Sequence, residues 1–198
     1  QPSTRSTSSL MNAAEMRVAE DGRPQEYAQP PQLFLGDGRG GFRDVSAGAG
    51  EYFRGRHVGR GAALADWDND GEPDLAVTHV GGPPALLRTT RRLPHHWVRL
   101  QLEGARNRDP VGANRDAVGA VVTVRAGGRS LVRHVKGGGS YYSAHDLRLL
   151  VGLGDAATVD EVEVRWPNAA GTVQRFGPLA VDRGYRLLEG VAAPQPAR

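Results

Sequence analysis

Cysteine is absent from all 198 residues, which excludes a disulfide framework, a thiolate metal site and a cysteine nucleophile together. Lysine is nearly absent as well, Lys136 being the only one, so the basic side chains are otherwise arginines. These arginines are scattered among acids and leave a formal net charge of only +3. A nucleic-acid binder concentrates its basic residues on one face or in one run, so no nucleic-acid partner is expected. No stretch approaches the roughly 20 apolar residues that cross a bilayer, so no membrane span is expected either. The chain starts at Gln1 without an initiator Met or a signal-peptide pattern, and we expect a mature or trimmed product whose targeting segment is not part of it.

What is abundant is glycine, 27 residues, together with 13 prolines and only short apolar runs. That mixture suits many short strands joined by tight turns and predicts an all-β fold. Residues 1–30 are rich in Ser, Thr, Gln and Pro and read as a poorly packed leader, with one weakly helical patch at Leu10–Val18. Leu33-Phe34-Leu35 and Phe42-Arg43-Asp44-Val45 flank the turn-rich 36–41, which predicts a hairpin. A second strand pair, 61–65 and 75–80, encloses an acidic loop, 85–88 supplies a further strand, and 89–94 reads as a linker. From about residue 95, seven short strands follow: 97–102, 118–125, 131–135, 147–151, 162–166, 172–176 and 185–188. Val122, Val124 and Ala126 alternate with Thr123 and Arg125, and Val162, Val164 and Trp166 with Glu163 and Arg165, the period-2 pattern of half-buried strands. So many short strands separated by glycine-containing turns predict an antiparallel β-sandwich over 93–190 with a frayed tail at 191–198.

Asn107-Arg108-Asp109-Pro110-Val111-Gly112-Ala113 is followed at once by Asn114-Arg115-Asp116-Ala117-Val118-Gly119-Ala120, a tandem near-duplicate. With Pro110, Gly112 and no apolar alternation, it reads as a duplication carried in a dispensable surface loop.

The acidic loop is Asp66-Trp67-Asp68-Asn69-Asp70-Gly71-Glu72-Pro73-Asp74. Calcium takes six to eight oxygens in flexible geometry, and carboxylates on alternate residues of a tight loop can converge on one ion. Asp66, Asp68, Asp70 and Asp74 stand at loop positions one, three, five and nine, Glu72 at position seven would offer its backbone carbonyl, and Gly71 permits a positive φ at the bend. An EF-hand would need a Glu at position twelve and flanking helices, whereas here that position is Val77 between strand-like runs. Four aspartates in nine residues would repel one another when empty, so we read a Ca2+ site between two strands.

Other constellations are weaker. Gly137-Gly138-Gly139-Ser140 lacks the Gly-Lys-Ser/Thr and strand-to-helix context of a phosphate loop. Ser140, Ser143, His145 and Asp146 have the letters of a hydrolase triad, yet triad members converge from separate elements. His95-His96 marks the start of a strand, since neighbours there point to opposite faces. Tyr141, Tyr142 and Trp166 either fill the core or form a sugar-stacking platform, and Ser140-Tyr141-Tyr142-Ser143 is the candidate ligand surface.

The run Gly59 to Leu75 resembles the FG-GAP or VCBS repeat, the β-propeller blade motif of integrin α-subunits and many bacterial secreted proteins. The segments 114–120, Gly138-Gly139-Ser140-Tyr141-Tyr142-Ser143, Gly152-Leu153-Gly154 and Val164-Arg165-Trp166-Pro167 resemble the ASPIC and UnbV domain. The pairing is similar to the cartilage acidic protein family and its bacterial relatives, including UnbV-type proteins of enediyne gene clusters. The resemblance implies a partial propeller-like calcium block at 31–92 followed by the sandwich, acting outside the cytoplasm (secreted or periplasmic) as a binding or scaffold module for protein or carbohydrate. The alternative it implies is an enzyme or catalytic accessory of secondary metabolism. Only one complete calcium motif is present, with Leu33–Val45 as the end of a preceding blade. Further blades are therefore expected from the same precursor or another chain.

Overall fold

The computed structural model describes residues 9–11, 28–90, 94–107, 109 and 111–197. The protein is all-β, and among the described residues no helix reaches seven residues. None is long and apolar enough to cross a membrane. The strands in chain order are β1 Ser9–Met11, β2 Gln32–Gly36, β3 Phe42–Asp44, β4 Gly59–Ala65, β5 Asp74–His79, β6 Ala85–Leu87, β7 His96–Glu103 and β8 Val121–Ala126. They continue with β9 Arg129–His134, β10 Leu149–Gly154, β11 Thr158–Val159, β12 Glu161–Arg165, β13 Val173–Phe176, β14 Leu179–Ala180, β15 Arg183–Leu188 and β16 Gln195–Pro196. The leader expected over 1–30 lies outside the described residues apart from 9–11 and 28–30, as does the helical patch beyond Met11 and the middle of the linker at 91–93.

Two compact units divide the chain: Gln1–Ala62 with Leu75–Leu87 and Ser140–Ser143, and Ala63–Asp74 with Arg88–Gly139 and Ala144–Arg198. The first contains the antiparallel sheet β1-β2-β3, whose hairpin turn is built by one carboxylate. Asp37 Oδ1 accepts the N–H groups of Arg39 (2.7 Å) and Gly41 (2.9 Å), and Gly38 and Gly40 take the positive φ values the reversal needs. Strands β4, β5 and β6 form a further three-stranded sheet, with β5 and β6 antiparallel in the register Leu75↔Leu87, Ala76↔Leu86, Val77↔Ala85. The unit boundaries cut β4 after Ala62 and β5 before Leu75, so the acidic loop joining them falls with the second unit.

The second unit holds two four-stranded sheets, β10-β7-β15-β16 and β13-β12-β8-β9. Val98, Leu100, Val151, Leu153 and Leu187 from the first meet Val122, Val124, Val162, Val164 and Phe176 from the second in one apolar core. The alternation read from β8 and β12 is what aims these side chains inward, and Trp166 joins them at 2 % exposure. The expectation of a wholly antiparallel arrangement fails at one place: β15 runs parallel to β7, pairing Arg183↔Val98 through Leu188↔Glu103. Parallel neighbours need a long crossover, and here the whole of residues 104–182 leaves and returns between them.

The duplicated segment also departs from expectation. Ala113, Ala117 and Ala120 are fully buried in the core, and Gly104 packs so closely on the carbonyls of Ala113 and Asn114 that no Cβ would fit there. Asn114 closes its own turn, its amide bonding both the N–H and the C=O of Val118 at 2.9 Å. The first copy is tied down at its end: the buried Glu189 carboxylate accepts the N–H groups of Ala105 and Ala113 at 2.7 Å each, and the Asn168 amide at 2.6 Å. The end of the first copy and most of the second are thus built into the packed unit, while Val111 between them is exposed as a surface loop would be. Glu189→Ala should orphan two backbone donors at once and lower unfolding free energy by about 2–4 kcal/mol in urea denaturation. A loss below about 0.5 kcal/mol, the ordinary surface value, would return the segment to the status of a tolerated loop.

Candidate metal centre

The loop between β4 and β5 is organised by its first aspartate. Asp66 is 3 % exposed, its Oδ1 accepts the Asp70 N–H (3.0 Å), and its Oδ2 accepts the Gly71 N–H (3.2 Å). Two loop donors with no strand partner are thereby satisfied, the local reason Asp stands at this position. Asn69 and Gly71 take positive φ, +60° and +89°, to turn the chain. Gly71 has a second reason to be glycine, because an added Cβ would fall about 2.1 Å from Nε1 of the Trp97 indole. The loop closes at Asp74, 2 % exposed, whose Oδ2 accepts the Trp67 N–H (3.2 Å) and whose Oδ1 accepts the Thr89 N–H (2.9 Å).

One carboxylate oxygen each of Asp66, Asp68 and Asp74 lies within 4.8 Å of the others. Oxygens on one calcium, each about 2.3–2.6 Å from it, are at most about 5 Å apart, so these three fit a single ion. Asp70 Oδ1 accepts the Glu72 N–H (3.0 Å), and both residues are half-buried.

The arginines are what sequence reasoning missed. Arg99 on β7 is 4 % exposed and donates from Nη1 to Asp66 Oδ2 at 2.9 Å, a fully buried ion pair, with its guanidinium carbon 5.8 Å from the Trp97 ring centroid. Arg88 is ion-paired with Asp68 and lies 3.9 Å from Asp70 Oδ2. Arg148 donates to the Asp66 carbonyl (3.0 Å) and Asn69 Oδ1 (2.9 Å) while holding Asp146. None of the three stands near the loop in sequence. Arg99 itself carries no local mark, since it alternates with Gln101 and Glu103 as the polar face of β7 ordinarily would.

The remaining sequence candidates are accounted for. Ser140 and Ser143 spend their hydroxyls on the main chain of Ala62, at 3.2 and 3.0 Å, and Tyr141 and Tyr142 are 62 % and 94 % exposed with ring centroids 4.7 Å apart. His145 Nδ1 accepts the Leu64 N–H and Asp146 pairs with Arg148, so the Ser, His and Asp letters at 140–146 serve other partners. His96 bonds Asp182 (2.7 Å) and His95 faces Asp155 (3.4 Å), two separate acids for two neighbouring imidazoles.

Asp66→Ala should remove the buried carboxylate that Arg99 Nη1 donates to, together with the acceptor of the Asp70 and Gly71 N–H groups, costing about 3–5 kcal/mol in chemical denaturation even in chelator. A cost under about 1 kcal/mol would mean the pair is not the loop's anchor.

No match was found among curated proteins. Residues 110–194, beginning inside the first heptad copy and containing the whole of the second, match the family model for the ASPIC and UnbV domain.

Proposed function

We propose that the protein is a calcium-stabilised binding or scaffold module that works outside the cytoplasm, secreted or periplasmic, on a protein or carbohydrate partner. The observation that carries this reading is the convergence of Asp66, Asp68 and Asp74, with their oxygens within 4.8 Å of one another. These residues would hold the ion, with Asp70 and the Glu72 carbonyl closing the shell. When bound, calcium supplies the counter-charge that a loop of five acidic residues needs. In this reading, 31–92 is an FG-GAP/VCBS-type block, part of a propeller whose other blades come from the same precursor or another chain, and 93–190 is a sandwich. The candidate ligand surface is Ser140-Tyr141-Tyr142-Ser143, supported by the exposure of both tyrosine rings on a turn anchored through Ser140 and Ser143. Loops of this composition suit the millimolar calcium found outside cells, which supports the compartment.

The binding reading is preferred over the enzyme of secondary metabolism because the hydrolase-like side chains at 140–146 are engaged with Ala62, Leu64 and Arg148. Moving the native protein from chelator to 5 mM Ca2+ should raise the melting temperature by about 2–6 °C, since a ligand that binds only the folded state stabilises it. Asp68→Ala should abolish that difference while keeping the fold, because Asp68 is exposed and its ion pair with Arg88 is itself open to water. Equal melting temperatures with and without calcium in the native protein would refute the metal.

A further inference from the structure

Two of the three converging carboxylates already carry a cation from the protein itself. Asp66 holds Arg99 at 2.9 Å in a pair with both partners nearly sealed from water, and Asp68 holds Arg88, whose side chain is 63 % exposed. We infer that Arg99 and Arg88 are affinity-setting residues: internal counter-cations that keep the loop folded without metal and hold its calcium affinity in the weak, exchangeable range. The inference rests on the calcium reading above and concerns only this chain's own residues.

The argument is electrostatic. With the metal absent, the loop's carboxylates would repel one another and the buried Asp66 would be an isolated charge, a state that burial penalises by several kcal/mol. Arg99 removes that penalty, and the N–H groups of Asp70 and Gly71 on the same carboxylate keep the loop closed around it. The cost falls on the metal. A divalent ion arriving at Asp66, Asp68 and Asp74 meets two guanidinium charges already seated on two of its ligands, and like charges a few ångströms apart in a partly buried site repel strongly. The two arginines differ in weight. Arg99 is desolvated and therefore strongly felt, whereas Arg88 is screened by water and modulates within the range of an exposed ion pair. Arg148 is not part of the device, because it bonds the Asp66 carbonyl and Asn69 rather than a converging carboxylate.

The test is a Tb3+ and Ca2+ titration of the full chain, read by terbium luminescence sensitised through Trp67 and Trp97, with melting curves in chelator alongside. Arg88→Ala should bind Ca2+ about two- to fivefold more tightly than the native protein, the scale of a surface ion pair. Arg99→Met should bind at least about tenfold more tightly and become far more dependent on Ca2+ for its melting temperature. Arg99→Lys, which keeps the charge, should stay near the native affinity. Native protein that binds calcium while Arg88→Ala and Arg99→Met bind equally or more weakly overturns the inference and leaves the calcium reading standing. Native protein that binds neither ion removes both. If Arg99→Met does not fold even in calcium, Arg88→Ala decides alone, since its exposed side chain is not needed for the core.

Discussion

A guanidinium and a carboxylate taken out of water together must satisfy each other, and the Asp66–Arg99 pair does so at 2.9 Å with both side chains at 4 % exposure or less. Much of the second unit is arranged around that requirement. Arg99 sits on the face of β7 opposite Val98 and Leu100, so one strand serves the apolar core on one side and the loop on the other. Trp97, two residues earlier on the same face, lies close enough to Gly71 that only glycine fits. The pair also fixes where the converging carboxylates stand, because Asp66 closes the loop through the Asp70 and Gly71 N–H groups while Asp74 closes it through Trp67 and Thr89. Two of the three converging carboxylates, Asp66 and Asp74, are thus held in place by hydrogen bonds and a buried ion pair of the chain itself.

What could be read from the sequence follows the range of the interactions involved. The strands of the second unit were legible because alternation is a property of neighbours, and Val122, Val124, Val162 and Val164 are all fully buried. The convergence of the loop aspartates was legible for the same reason: Asp66, Asp68, Asp74 and the turn glycine all lie within nine residues. The parallel partnership of β7 and β15 was not, since nothing local in either strand records a neighbour across residues 104–182. The cations of the site were hidden likewise. Arg99 reaches Asp66 across 33 positions and Arg148 across 82, and one arginine among so many in a chain with a single lysine carries no mark of its partner.

The paired heptads, which differ only at Pro110 against Ala117, show how little six shared letters decide. In the second copy Asn114 wraps back on Val118, Ala117 takes φ +50°, and Ala117 and Ala120 fill the core. In the first, Asp109 instead caps Val111 (3.0 Å), Val111 is 74 % exposed, and Ala113 at its end is buried. Context chooses between them: Glu189 captures the end of one copy while Gly104 makes room for the start of the other. Local preference was a fair guide to a turn here and a poor guide to burial.

The hydroxyls of Ser140 and Ser143 have a consequence beyond anchoring two tyrosines. They occupy both the N–H and the C=O of Ala62 on β4, and farther along the same strand His145 and the Asp146 N–H do the same for Leu64. An edge strand whose main-chain groups are already bonded to side chains and to an irregular segment offers no template to a strand from another molecule. The chain therefore shields a sheet margin without lengthening the sheet, and a molecule rich in short strands gains protection against edge-to-edge aggregation from a handful of polar side chains.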